Sequence, residues 1–156
     1  MVVVADTSPI NYLVLIAQID ILAALYGRVL IPPAVLEELC HPLAPKPVQE
    51  WAANVPAWLE IGHPRITLVL PKLDKGETEA ISLAAELHAS ALLIDEYAGR
   101  QEALRRGLKV AGTLSVLDEA DQAGLLKFDD AVAALRKTSF RISQEVLAAI
   151  RQKPSR

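Results

Sequence analysis

Short apolar runs with a helix start close behind them constrain this chain more than any other feature. Val2-Val3-Val4-Ala5, Val29-Leu30-Ile31 and Ala91-Leu92-Leu93-Ile94 are too short for helices and too continuous to alternate between core and solvent. Such runs suit strands buried on both faces, as in a parallel sheet covered by helices. Ser8-Pro9, Pro32-Pro33 and Gly112-Thr113 supply the helix starts, proline being suited to the first helical turn. Repeated βα units with short connections therefore predict an α/β protein, a three-layer α/β/α sandwich around a central, mainly parallel sheet.

Along the chain, the spacing predicts one helix over about 9–25, with Leu13, Ile16, Ile19, Leu22 and Leu25 inward and Gly27 at its end. A helix bearing Val35, Leu36, Glu37, Glu38 and Leu39 follows Pro33. The proline-rich stretch His41 to Pro64 reads as an irregular excursion with a short helix near 47–53. Ile66 to Leu70 reads as an edge strand. Helices over about 76–89, 96–106 and 113–123 alternate with strands 91–94 and 109–111, and two short helices joined near Phe140 end the chain.

A chain of 156 residues is the size of one domain able to bury a core without disulfides. We read residues 1–156 as that domain, with about 126–156 as a C-terminal helical extension. A hydrophobic share of 52% against 22% charged residues fits a folded chain rather than a disordered one. Cys40 has no second cysteine to pair with, which points to a cytoplasmic protein, and it reads as a core thiol. The opening residues lack a basic leader, and Asp6, Asn11 and Gln18 break up the apolar residues around them, so neither a signal peptide nor membrane association is expected.

A formal net charge of −3 weighs against general attraction to nucleic acid and leaves only local patches. Arg100, Arg105, Arg106 and Lys109 form one basic run, and Arg136, Lys137 and Arg141 another. Each run also suits a solvated helix face.

Acidic residues stand where the apolar runs stop. Asp6 follows the first strand and Asp95-Glu96 a later one, while Glu38 and Glu77 lie on helices that start near the same sheet edge. Carboxylates at the carboxyl ends of neighbouring parallel strands share one crevice. They repel one another unless a cation sits among them, and oxygen donors around an open position suit magnesium or manganese. Each residue has a plainer use: Asp6 and Asp95 suit helix caps, Asp74 with Glu77 resembles a capping pair, and Ser8 and Thr113 suit caps too. Arg100, one turn beyond Glu96, could meet substrate phosphate or pair with Glu96.

Asp6-Thr7-Ser8, Glu38-Leu39, Gly76-Glu77-Thr78-Glu79-Ala80-Ile81 and Leu93-Ile94-Asp95, in that order over residues 1–125, together resemble a PIN domain. More narrowly, Asp95-Glu96 with Arg100, Gly112-Thr113 and Phe140-Arg141-Ile142-Ser143 resemble a prokaryotic PIN-like family related to toxins of toxin–antitoxin pairs. The resemblance implies a PIN-like fold and a metal-dependent endoribonuclease that uses Mg2+ or Mn2+ to hydrolyse phosphodiester bonds of single-stranded RNA. It also implies a homodimer and a small antitoxin partner. Asp6, Glu38, Glu77 and Asp95 fall on the family's acidic, catalytic and metal-ligating positions, and Ser8 on its small hydroxyl position. Glu96, Arg100 and Thr113 are supporting candidates. Glu77 stands where most relatives carry Asp, and it is preferred over Glu79 for its eighteen-residue interval to Asp95. The competing reading is a PIN-like module that binds nucleic acid or protein without cutting.

His41, His63 and His88 are isolated and support no zinc site. Trp51 and Trp58 read as packing residues, with a dimer surface or RNA stacking as the alternatives.

Overall fold

The computed structural model describes residues 1–152. Five strands, β1 (Val3–Ala5), β2 (Val29–Ile31), β3 (Leu59–Ile61), β4 (Ala91–Leu93) and β5 (Val110–Ala111), form one sheet in the order β3-β2-β1-β4-β5. Every pairing is parallel. The chain builds outward from β1 through β2 to β3, then returns to lay β4 against the other side of β1. The order reverses between β1 and β4, where open α/β sheets place their ligand crevice.

Successive strand residues face opposite layers. Val3, Ala5, Val29, Ile31, Leu59 and Leu93 enter one core, and Val4, Leu30, Leu92 and Ile94 the other. The first core is covered by α1 (Thr7–Leu15), α2 (Ile21–Tyr26), α4 (Lys46–Ala53), α7 (Thr113–Gln122), α8 (Phe128–Leu135) and α9 (Gln144–Arg151). Val35 and Leu39 of α3 (Pro33–Cys40) join it. The second is covered by α5 (Lys75–Glu86) and α6 (Tyr97–Arg105) through Ala80, Ile81, Leu83, Ala84 and Ala103. Three layers result. Phe128, Val132, Leu135, Leu147 and Ile150 complete the first core; residues 153–156 of the expected extension lie outside the described residues.

Two expected elements differ. The helix expected over 9–25 is two helices, α1 and α2, because Ala17 takes a left-handed φ of 59°. The Gln18 N–H donates to the Leu13 carbonyl at 2.8 Å and Ala17 N–H to Val14 at 3.0 Å, a Schellman closure with alanine where glycine is usual. The edge strand is β3, from the stretch read as irregular, while Ile66 to Leu70 forms no ladder. Leu68 and Leu70 instead pack on the second core, and Leu68 N–H donates to Ser82 Oγ at 2.9 Å. That segment alternates because it is a strap across α5, with Ile66 and Val69 outward.

Smaller expectations divide in the same way. Trp51 and Trp58 pack against each other with ring centroids 6.3 Å apart. Cys40 is exposed at the end of α3 rather than buried.

Candidate metal centre

Asp6 is the first residue beyond β1. Its backbone N–H donates to the Leu93 carbonyl of β4 at 2.8 Å, which fixes it at the switch between the two strands. It occupies the N-cap position of α1 without making a side-chain cap bond, and Thr7 rather than Pro9 opens the helix. The side chain is 5% exposed, and Oδ1 has no hydrogen-bond partner among the described residues. Burial pushes its pKa up to about 8, against the Thr7 backbone N–H and with further upward pressure from Glu77, Asp74 and Glu38. An unpartnered buried carboxylate oxygen is costly unless a proton or cation meets it.

Glu38 reaches the same cleft from α3. Thr7 Oγ1 donates to its Oε2 at 2.5 Å, and burial raises its pKa despite that bond and the Gly76 N–H. A Cβ at Gly76 would strike Glu38 Oε1, so a side chain there would displace the Glu38 carboxylate from its present seat. Glu77 is buried at the start of α5. Its Oε1 accepts from Asp74 N–H at 3.0 Å, while Glu77 N–H donates to Asp74 Oδ1 at 2.7 Å. The two form a complete capping box. Burial is also the main cause of Glu77's raised pKa, with Asp74, Glu96 and Glu38 adding to it. Glu79 turns away and accepts from Ala34 N–H at 3.0 Å.

Asp6, Ser8, Glu38, Asp74, Glu77 and Glu96 line one cleft, and Asn11 and Tyr12 complete its rim. Asp95 is placed differently. It stands behind Ser8, whose Oγ donates to Oδ2 at 2.7 Å, and it accepts from Thr113 N–H at Oδ1 and Thr113 Oγ1 at Oδ2, both at 2.7 Å. Thr113 is fully buried. Arg100 does not pair with Glu96; its Nη1 points at the Ile94 carbonyl, 3.5 Å away. Gly112 leaves space for that approach, since a Cβ there would lie 2.9 Å from both Arg100 Nη1 and Asp95 Oδ1.

The structure thus brings Asp6, Glu38, Glu77 and Glu96 together and sets Asp95, Thr113 and Arg100 beside them. Asp74 and Thr7 are cleft residues that the sequence reading did not select. Asp74 was visible only as a cap, and Thr7 only as the middle of Asp6-Thr7-Ser8. Among the described residues no three His, Cys, Asp or Glu side chains stand close enough together, as they are placed, to hold a metal ion. Glu38 faces Thr7 and Glu77 faces the Asp74 backbone, which accounts for the open arrangement. The donor set is entirely oxygen, mutually repelling, and holds one orphaned buried oxygen. By its chemistry, though not by its present spacing, such a donor set suits a hard divalent cation that keeps several waters.

Five parallel strands with this order and helices on both faces form a PIN-like α/β/α fold. The chain belongs to the PIN-domain family: the model described as DUF3368: PIN domain matches residues 2–156. PIN domains are commonly nucleases. The fold is also similar to that of a PilT N-terminus domain protein, SSO1118, from the hyperthermophilic archaeon Sulfolobus solfataricus P2, with a TM-score of 0.52 at 12% identity, covering 92% of this chain and 100% of that one. No curated protein matches the chain. Among the described residues no helix is long and apolar enough to cross a membrane.

Proposed function

We propose that this protein is a metal-dependent endoribonuclease that hydrolyses phosphodiester bonds of single-stranded RNA. The observation that carries the reading is Asp6 Oδ1, buried without a partner in a cleft shared with Glu38, Asp74, Glu77 and Glu96. Asp6, Glu38 and Glu77 would hold a magnesium or manganese ion. Bound there, it would supply a water of lowered pKa and offset charge developing on the phosphate.

The chain's own residues prepare that site. Thr7 and Gly76 seat the Glu38 carboxylate, and Asp74 seats Glu77. Asp95 acts through Ser8, holding the hydroxyl at the cleft wall. In hydrolysis the water oxygen bonds to phosphorus, one ester P–O bond breaks, and the departing oxygen takes up a proton. Glu96, exposed on the rim, would receive the proton lost by the water. The family relationship supports extending the reading to a toxin of a toxin–antitoxin pair, acting in the cytoplasm as a homodimer with a small antitoxin partner.

One observation favours the non-catalytic alternative: Glu77 commits an oxygen to the cap of α5. The deciding experiment titrates Mg2+ and Mn2+ into purified protein with a mixed single-stranded RNA pool, beside Asp6→Asn. Metal-dependent cutting that disappears in the folded variant supports the nuclease; RNA binding without cutting at any metal concentration supports the binding module.

A further inference from the structure

A second cavity, about 420 Å³ in volume, opens between α6, α7 and the segment that leads into α9. That size falls in the range of about 300–1,000 Å³ typical of small-ligand sites. Its walls combine two guanidinium groups, Arg100 and Arg141, with two aromatic rings, Tyr97 and Phe140. The basic residues come from the two separate runs noted in the sequence, and the fold points one member of each at the same space. Arg105 and Arg106 are turned away to Glu102, at 2.5 and 2.9 Å. Among the described residues neither Arg100 nor Arg141 forms an ion pair.

This cavity and the acidic cleft share a wall. Ser8 lines the cleft and bonds to Asp95, which lines the cavity. Tyr12 lines the cleft, and its ring lies 5.0 Å from that of Phe140 in the cavity. A cleft of clustered carboxylates repels a phosphodiester chain, so a strand crossing it needs a cationic hold close by. Forked guanidinium donors match phosphate oxygens, and an exposed ring such as Tyr97, 73% accessible, offers a stacking face for a base.

We propose that this cavity is a nucleotide subsite, in which Arg100 and Arg141 grip a backbone phosphate next to the scissile one and Tyr97 stacks the adjoining base. It rests on the endoribonuclease reading for its substrate. Two carboxylates share the space: Asp95, already engaged by three donors, and Glu145, whose charge opposes phosphate.

The test measures binding of fluorescein-labelled single-stranded RNA to Asp6→Asn protein, in which turnover is suppressed, across a salt series. Arg100→Ala and Arg141→Ala are each expected to weaken binding about tenfold and to make the fall of log affinity with log salt shallower by about 0.7. Tyr97→Ala should weaken binding about tenfold with no change of slope, and Glu145→Gln should tighten it. Arg100→Lys keeps the charge and should keep the slope, which separates phosphate contact from loss of the bond to Ile94. Unchanged affinity and slope in both alanine variants overturn the subsite. Arginine-dependent binding by a wild-type protein that cuts no RNA supports the subsite and overturns the nuclease reading; metal-dependent cutting with arginine-independent binding does the reverse.

Discussion

Asp6 is where the chain's physics and its proposed chemistry meet. Unfolded, its carboxyl titrates near 3.8; folded, burial and neighbouring acids raise that to about 8. Between those values the native state holds more protons than the unfolded state, so stability falls as pH rises. Glu38 and Glu77 are shifted in the same direction. At about 1.4 kcal/mol for each tenfold change in proton affinity, metal-free wild type should lose several kcal/mol between pH 5 and about 8.5. Asp6→Asn should slope less steeply over that window, keeping only the share that Glu38 and Glu77 contribute, and be the more stable of the two at its upper end. Chemical denaturation in chelator at a series of pH values checks this, and wild-type stability rising with pH would contradict it. Asp6 was legible from the sequence because a strand end is a local pattern. Thr7 and Asp74 were not, since their roles come from contacts with Glu38 and with the cleft, which local pattern does not carry.

Elements failed to be legible where no residue type announced the break. Ala17 closes α1 in a left-handed conformation with nothing in its identity to signal it. Alanine is strained there by a Cβ that crowds the backbone, while glycine would lose more entropy on leaving the unfolded chain. The balance predicts that Ala17→Gly stabilises the protein by about 0.5–1 kcal/mol, read from its denaturation midpoint. Segment Ile66 to Leu70 misled for another reason. Period-two alternation reports one buried face, and a strap held by Ser82 buries one face as a strand does. The true edge, β3, is three residues long and leaves Glu60 and Ile61 exposed, too short to show a pattern. By contrast Val2 to Ala5 and Ala91 to Ile94 read correctly, because runs this short and continuous, set close before helix starts, suit a strand buried on both faces.

Over the whole molecule, the carboxylates at the switch are a destabilising charge until something cationic joins them. A divalent ion that binds the folded state alone stabilises it by about 2.7 kcal/mol at a hundredfold excess over Kd. Mn2+ or Mg2+ should therefore raise the melting temperature of wild type in a concentration-dependent way and leave Asp6→Asn almost unmoved, as calorimetry with and without metal would record. Equal shifts in both proteins would place the ion elsewhere.

The strand order carries a consequence for how such a protein is made. β1 leaves the ribosome before the other strands, yet it is the middle of the sheet, and its second neighbour is β4, beginning at Ala91. Before that segment emerges, one side of β1 is bare and Asp6 lacks the Leu93 carbonyl that fixes it. Translation therefore times the appearance of the acidic cleft. A growing chain, still tethered to its messenger, does not yet own the cleft on which the proposed nuclease reading rests.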